Sequence, residues 1–261
     1  MKRMLALSGL GLLAYLVFLI AMLPASQVWR FAAEPIQRQA PQLAVYGLSG
    51  TLWRGQASEL RWQGHSLGRL EWQLSPWSML RQRLNTRFSL QTPQGYLQGR
   101  LQLPFSATSL ELGELQGRLP IQELSRFAKN LPLQLDGQLS IQLKQLRLDK
   151  QGAIQALQGQ LIWHQASILM GEPLSLGDLR AELSDNGEGA LRAQLHDHGG
   201  PLRLDGEFHL SAQGRYRLQA SLGSRESAQP ALQQSLAMLG RPDAQGNYPL
   251  QFNGSLPGGT R

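Results

Sequence analysis

Apolar and polar residues alternate along most of this chain, and the pattern is cleanest over residues 133–143. In that stretch every odd position is apolar or glycine and every even position is polar. A period of two places successive side chains on opposite faces of an extended strand, whereas a helix would scatter them around its circumference. The stretch is therefore predicted to be a β-strand with one buried and one solvated face.

A short phrase that begins with glycine recurs along the chain. Glycine is followed by a polar residue, Leu or Phe, any residue, and then an apolar residue. The spacing of the copies suits repeated hairpins. Glycine inside a strand often marks a bend or a bulge, so we expect a strongly curved sheet that folds over its own apolar face. The alternative is that these glycines only separate one strand from the next and do not bend the sheet. The copies begin at Gly99, Gly117, Gly137, Gly159 and Gly206, with a shorter one at Gly254.

The pattern predicts a mainly β protein, with a single N-terminal transmembrane helix followed by a mostly antiparallel sheet of repeated hairpins. Two or three short helices interrupt the strands, and helical spacing of apolar residues places them near residues 76–84, 119–131 and 230–239. The expected segments are a cytoplasmic start (1–3), a transmembrane anchor (4–23), a membrane-proximal connector (24–42), a periplasmic β domain (43–256) and a polar tail (257–261).

Residues 4–23 contain no charge, and a helix of that length is about 30 Å long, the thickness of the hydrocarbon core of a bilayer. A cleaved signal peptide is the alternative, but its apolar run would be shorter and would end in small residues. Here the large residue Leu23 stands where a cleavage site requires a small residue, which argues against cleavage. We therefore expect an uncleaved signal anchor. Lys2 and Arg3 hold its N-terminus in the cytoplasm, which puts the rest of the chain in the periplasm of a two-membrane bacterium.

The connector carries Trp29 and Arg30. Aromatic and basic side chains are enriched at the headgroup layer of membranes, so these two residues are candidate anchors there. The alternative is an ordinary amphipathic helix that packs on the β domain.

Composition excludes several classes of protein. The chain has no cysteine, and therefore no disulfide framework and no thiolate metal site. Its formal charge is +7, but the arginines are spread singly along the strands. Nucleic-acid-binding proteins cluster their basic residues on one face or helix. We therefore expect no nucleic-acid partner, and at most a mild preference for anionic lipid headgroups.

Known catalytic and metal-binding motifs are missing from the sequence. There is no Gly-x-Ser-x-Gly elbow, no P-loop and no His-Glu-x-x-His. The best candidate is His196-Asp197-His198, whose two imidazoles could face one side of a strand and bind zinc. A glycine-rich turn follows, however, so an exposed hairpin end is the preferred interpretation. No enzyme activity, cofactor or metal is expected, and an envelope hydrolase is the least favoured function.

The motif Gly50-Thr51-Leu52-Trp53-x-Gly55-x-Ala57, which follows the apolar segment, resembles protein N of the bacterial type II secretion system. The likeness continues through Trp72-x-Leu74-x-Pro76 and returns near the C-terminus at residues 236–256, so it covers almost the whole chain. The C-terminal part also resembles AsmA-type proteins of the bacterial envelope.

This resemblance implies an inner-membrane accessory subunit of the machine that exports folded proteins from the periplasm across the outer membrane. It implies contacts with other subunits, such as protein C of the inner-membrane platform and the outer-membrane secretin. The family offers no catalytic residues to transfer to this chain.

Two kinds of partner remain open, a secretion-system protein or a lipid. Trp53 is a candidate docking residue, because Leu52 and Trp53 are expected on opposite faces of one strand and tryptophan is enriched at interface anchors. Leu101, Leu139, Leu161 and Phe208 follow their glycines at equivalent places and are expected to line the inside of the bent sheet. A closed or nearly closed core is favoured, and an open groove for acyl chains is the alternative.

Overall fold

The structure is a computed structural model that describes residues 15, 18–19, 22–106, 108–125, 134–170, 172–185, 190–226 and 228–255. Lys2, Arg3, most of the apolar segment 4–23 and the tail 257–261 lie outside the described residues, and their assignments stay predictions. Within the described ranges, no helix combines the length and the apolar character that a membrane crossing requires.

The mainly β prediction is confirmed, since the described residues contain thirteen strands and four helices with defined ends. The chain divides into two compact units, Met1–Pro93 and Gln94–Arg261. We call them the N-terminal unit and the C-terminal unit. The N-terminal unit contains α1 (Ala25–Gln39), β1 (Leu43–Gly50), β2 (Arg54–Trp62), β3 (His65–Leu74), α2 (Pro76–Met79) and β4 (Arg83–Thr92).

The described residues of the C-terminal unit form nine strands and two short helices. Its elements are β5 (Gly95–Pro104), β6 (Ser109–Pro120), α3 (Ile121–Ser125), β7 (Gln134–Asp149), β8 (Ile154–Met170), β9 (Glu172–Asp185), β10 (Leu191–Asp197), β11 (Leu202–Leu210), β12 (Arg215–Ser224), α4 (Pro230–Ala237) and β13 (Tyr248–Ser255).

Strand order follows the chain in both units, and within each unit every described strand pairs antiparallel with the next. This is the repeated-hairpin arrangement that the glycine-rich phrase predicts. Short connections between sequential strands make such a meander the simplest way to bury one face of many alternating segments.

The repeated glycines have two different roles. Gly99 and Gly137 sit at register shifts, and Gly137 has a φ of +114°, which favours glycine. Gly159 itself stays paired with Leu143, beside a register shift that falls on β7, and a Cβ built at Gly159 would lie 2.5 Å from Cδ2 of Leu143. The bend or bulge that we expected at every copy is therefore found at these two, while Gly159 makes room for a large cross-strand neighbour.

The predicted helices differ from the observed ones at their ends. Leu119 and Pro120 are the last residues of β6, so α3 begins later than predicted, and the part of that helix beyond Ser125 lies outside the described residues. The helix near residue 76 is shorter than predicted, because Leu84 already pairs in β4. Pro230 starts α4 as expected from the preference of proline for the first helical turn.

The strand predicted through Leu52 and Trp53 is wrong, because residues 51–53 connect β1 to β2. Gly50 has a φ of +85°, and the N–H of Thr51 donates to the Arg54 carbonyl at 2.9 Å. The Arg54 N–H returns a bond to Oγ1 of Thr51 at 3.2 Å. These bonds close a tight turn, and the alternation of side chains stops there.

Buried apolar side chains of the C-terminal unit form a core cluster at α4. Leu232 and Leu236 of α4 pack against one margin of the sheet. Apolar residues at 3.6-residue spacing give this short helix one buried face. The other buried members of the cluster are Ala166, Leu174, Leu176 and Leu202.

Candidate functional site

The apolar face of the C-terminal unit contains two neighbouring rows that cross its strands without a polar residue. The pairing register aligns one residue from each of the nine strands in a first row, and one from each of β6–β13 in a second row. We call the two rows together the apolar strip. The first row is Leu97, Gly117, Ile141, Leu161, Ala181, Leu195, Gly206, Ala220 and Leu250, and the second is Leu115, Leu143, Gly159, Leu183, Ala193, Phe208, Leu218 and Phe252.

The opposite face of the same sheet is polar. Directly between the two rows of the strip, but pointing the other way, the register aligns one amide or carboxylate side chain from every strand. The two faces follow from the period of two, because each strand contributes alternate residues to each face. This polar row is Gln98, Gln116, Gln142, Gln160, Glu182, Gln194, Glu207, Gln219 and Gln251.

Side chains of the apolar strip are accessible rather than enclosed. Most are half-buried, and Phe252 on the last strand is 55% exposed. The described strands of this unit form one sheet, so no second sheet of the unit packs on the strip. These observations favour the open face over the closed core. At about 4.8 Å per strand, the strip extends roughly 40 Å along the sheet.

The four predicted lining residues lie on this apolar face but not at equivalent places. Leu161 and Phe208 belong to the strip. Leu139 lies in the next row to one side, opposite Trp163, and Leu101 lies in the next row to the other side. All four side chains are half-buried. Bulges between the repeats shift the register, which explains why equal positions in the phrase do not become equal positions in the sheet.

Two aspartates stand in the rows beside the strip, Asp197 on one side and Asp185, opposite Leu191 on β10, on the other. The Leu157 N–H donates to Oδ2 of Asp185 at 2.9 Å. Asp197, opposite Leu179 on β9, has a side chain only 8% exposed. The Arg225 guanidinium lies 2.7 Å from its Oδ2, and the Leu204 N–H donates to its Oδ1 at 2.9 Å. Burial acts to raise the pKa of the Asp197 carboxyl, but these bonds and one from the Gly199 N–H outweigh it and hold the pKa below its usual value.

The Asp197–Arg225 ion pair also stabilises the edge of the sheet near α4. Arg225 also donates to the Gly200 carbonyl at 2.7 Å and to the Leu202 carbonyl at 3.0 Å. A charge in an apolar row is tolerated only when it is paired and hydrogen-bonded. Asp197 therefore has a structural role and leaves the strip itself uncharged.

The zinc candidate His196-Asp197-His198 does not assemble. Nδ1 of His196 lies 3.2 Å from Oδ2 of Asp205 on the polar face, whereas Asp197 faces Arg225 on the other side. Among the described residues, no three histidine, aspartate or glutamate side chains come close enough to hold a metal ion.

Another histidine on the polar face is paired with a carboxylate in the same way. Nδ1 of His164 lies 3.0 Å from Oδ2 of Asp178. The Gln165 N–H, more than this contact, holds the pKa of Asp178 below its usual value. A hydrogen bond from the backbone stabilises the charged carboxylate, and the pair is part of the solvated face.

The remaining predicted residues are in the N-terminal unit. On α1, Trp29 is half-buried and Arg30 is exposed. Trp53 is half-buried in the β1–β2 connection, where its carbonyl accepts a bond from the Leu74 N–H at 2.7 Å. A docking role for Trp53 and a headgroup role for Trp29 and Arg30 stay predictions.

Sequence reasoning found the apolar phase of individual strands but not the continuity of the strip. Continuity depends on which residue faces which across each strand pair, and a shift of one residue would turn a strand over. The signal that could have found it is the set of polar turns between strands, since short turns limit the possible registers.

Sequence similarity to known proteins shows the family of this chain. Residues 41–251 match the family model described as Type II secretion system (T2SS), protein N. The chain belongs to this family. The protein N from Aeromonas hydrophila is 30% identical over 98% of this chain and 100% of its own length. The protein N from Vibrio cholerae is 31% identical over 82% of this chain and 85% of its own length. No solved structure matches this chain.

Proposed function

We propose that this protein is a non-enzymatic accessory subunit of the type II secretion system and that it acts in the inner membrane. Residues 4–23 anchor it, Lys2 and Arg3 stay in the cytoplasm, and the β region lies in the periplasm. Membership of the protein N family supports the assignment to the secretion system. The apolar segment and the two basic residues before it support the topology.

The observation that carries the mechanism is the accessible apolar strip. A contiguous apolar surface of this size is normally a place where something binds. No polar side chain interrupts its two rows. Of the two aspartates that flank it, Asp197 is paired with Arg225 and Asp185 accepts a bond from the Leu157 N–H. We propose that the strip is the contact surface through which the subunit contributes to export of folded proteins. The partners are other secretion-system subunits in the periplasm, such as protein C or the secretin.

A second function, binding of lipid acyl chains, has support from the same face. Acyl chains need no hydrogen-bond partner, and neither row of the strip offers one. The strip is roughly 40 Å long by strand spacing, which exceeds the length of one acyl chain. In the first function the strip binds a protein, and in the second it binds lipid. One pair of variants can separate the two.

Phe252 and Gln251 are neighbours on the last strand and provide the matched pair. Both are exposed, but Phe252 belongs to the strip and Gln251 to the polar row. We expect Phe252→Glu to abolish or strongly reduce secretion in cells that lack the wild-type chain, because it places a charge in the apolar surface. Gln251→Glu adds the same charge to the polar face and should secrete normally.

The two partner classes are separated by measuring secretion together with phospholipid that co-purifies with the protein. Loss of secretion without bound phospholipid in the wild type supports a protein contact. Phospholipid that is bound to the wild type and to Gln251→Glu, but not to Phe252→Glu, supports lipid binding. Normal secretion and unchanged lipid content in Phe252→Glu would show that the strip is not the functional surface.

A further inference from the structure

We infer that the connection between β3 and β4 docks on the surface of an anionic lipid bilayer. This connection, residues 75–83, is called the Trp77 tip. Its apolar side chains would enter the interfacial layer, and its arginines would contact lipid phosphates. The inference rests on the proposed inner-membrane anchor, and its test separates the two.

Two large apolar side chains of the tip point away from the protein. Trp77 is 76% exposed and Leu80 is 77% exposed. The sequence pattern predicted a helix over residues 76–84 with Trp77 and Leu80 on one face, but α2 ends at Met79 and none of its side chains is buried. Leaving two such side chains in water on one short connection is unfavourable, because removing apolar surface from water stabilises a protein or a complex.

Hydrogen bonds hold the tip in this conformation. Oγ of Ser78 donates to the Ser75 carbonyl at 2.6 Å and accepts from the Asn85 N–H at 3.2 Å. The Ser75 N–H donates to the Asn85 carbonyl at 2.9 Å, which ties both ends of the connection together. The exposure of Trp77 and Leu80 is therefore a property of an ordered turn.

The charge of the tip and its surroundings suits an anionic surface. Arg81 and Arg83 are exposed, and so is Arg54 at the start of β2. The sequence contains no aspartate or glutamate between Glu71 and Glu111. Tryptophan and arginine together are typical of segments at the membrane interface, and each basic residue near anionic lipid strengthens the attraction.

The tip also lies at the end of the sheet where the chain comes from the proposed anchor. In an antiparallel meander, alternate connections lie at the same end, so the β1–β2 and β3–β4 connections are neighbours. The Leu52 N–H donates to the Leu23 carbonyl at 2.9 Å, and the Leu74 N–H donates to the Trp53 carbonyl at 2.7 Å. These bonds link the last residue of the apolar segment to the residue that precedes the tip.

A lipid surface fits these observations better than a protein partner does. The bilayer is already within reach, because residue 23 is where the anchor is expected to leave it. A tip that rests on the membrane would also fix the orientation of the N-terminal unit, which a single helix alone leaves free to rotate.

The experiment uses the full chain in vesicles and one engineered cysteine at a time, since the natural chain has none. Leu80→Cys carries an environment-sensitive fluorophore, and Pro93→Cys is the matched control. Pro93 is exposed in the turn after β4, at the opposite end of the strands. The vesicles contain phosphatidylglycerol and phosphatidylcholine with brominated acyl chains, which quench a fluorophore that enters the bilayer.

We expect severalfold stronger quenching at position 80 than at position 93. Adding Arg81→Gln and Arg83→Gln to Leu80→Cys should weaken docking by about fivefold for each arginine, and high salt should weaken it as well. Equal, weak quenching at both positions would overturn the tip contact. If secretion nevertheless falls in Trp77→Gln cells, the tip binds a protein instead.

Alkaline carbonate extraction of the same vesicles tests the anchor separately. A chain that resists extraction but shows no quenching at position 80 has an anchor without a docked tip. A chain that is extracted but is quenched at position 80 before extraction has a docked tip without an anchor.

Discussion

Asp197 shows how a single residue can violate the pattern of its strand without disturbing the fold. It occupies the apolar phase, yet its carboxylate receives bonds from Arg225 and from two backbone N–H groups. Folding therefore stabilises the charged form, and the pKa is lowered relative to the unfolded chain. Such a group contributes stability above its unfolded pKa and loses that contribution as the pH falls.

We expect Asp197→Asn to lower the free energy of unfolding by about 1.5–3 kcal/mol at pH 7, the usual contribution of a hydrogen bond to a charged group. The difference from wild type should shrink as the pH falls below about 4, where an unfolded aspartate begins to bind its proton. Urea unfolding followed by tryptophan fluorescence at several pH values measures both effects.

Asp205→Asn is the control for this prediction. Asp205 is exposed, and its carboxylate contacts the imidazole of His196, so its replacement should change stability by less than about 0.5 kcal/mol. Equal losses in both variants, or a difference from wild type that persists at low pH, would contradict the structural role of the Asp197 pair.

At the scale of elements, α4 covers one margin of the apolar face. Leu232 and Leu236 supply its buried side, and the rest of the strip is left accessible. The helix therefore marks the boundary between a conventional core and a surface that is open to a partner. The stability of the C-terminal unit should therefore depend far more on the core at α4 than on the accessible strip.

Leu232→Ala should destabilise the protein by about 2–5 kcal/mol, because it removes a buried side chain and leaves a cavity. Met238, just after the same helix, is exposed, and Met238→Ala should change stability by no more than about 0.5 kcal/mol. Thermal unfolding of the two variants gives the comparison. Similar melting temperatures would mean that α4 does not close a core at this margin.

At the scale of the whole molecule, the proposed topology makes the simplest prediction. One uncleaved span with Lys2 and Arg3 inside leaves Arg261 in the periplasm. Alkaline phosphatase fused after Arg261 should be active, because that enzyme requires the periplasm, and a cytoplasmic reporter at the same place should be inactive. The reverse activities would contradict the orientation, and a mature N-terminus near Ser26 would show that the segment is cleaved.

The sequence by itself determined the fold class, because a period of two is a local property of each strand and polar turns separate one strand from the next. It also indicated the family, through residues 50–57, and the apolar character of the face that holds Leu161 and Phe208. These features depend on near neighbours in the chain. They can therefore be read without knowing how distant segments meet.

Only the tertiary structure decided what depends on long-range pairing. Bulges at Gly99 and Gly137 set the register, and the register alone joins separate apolar residues into one strip. The turn at Gly50 removed Trp53 from the strand that its alternation predicted. Exposure of Trp77 could not be foreseen either, since an apolar residue at helical spacing is buried only if another element arrives to cover it, and that is a property of the folded chain.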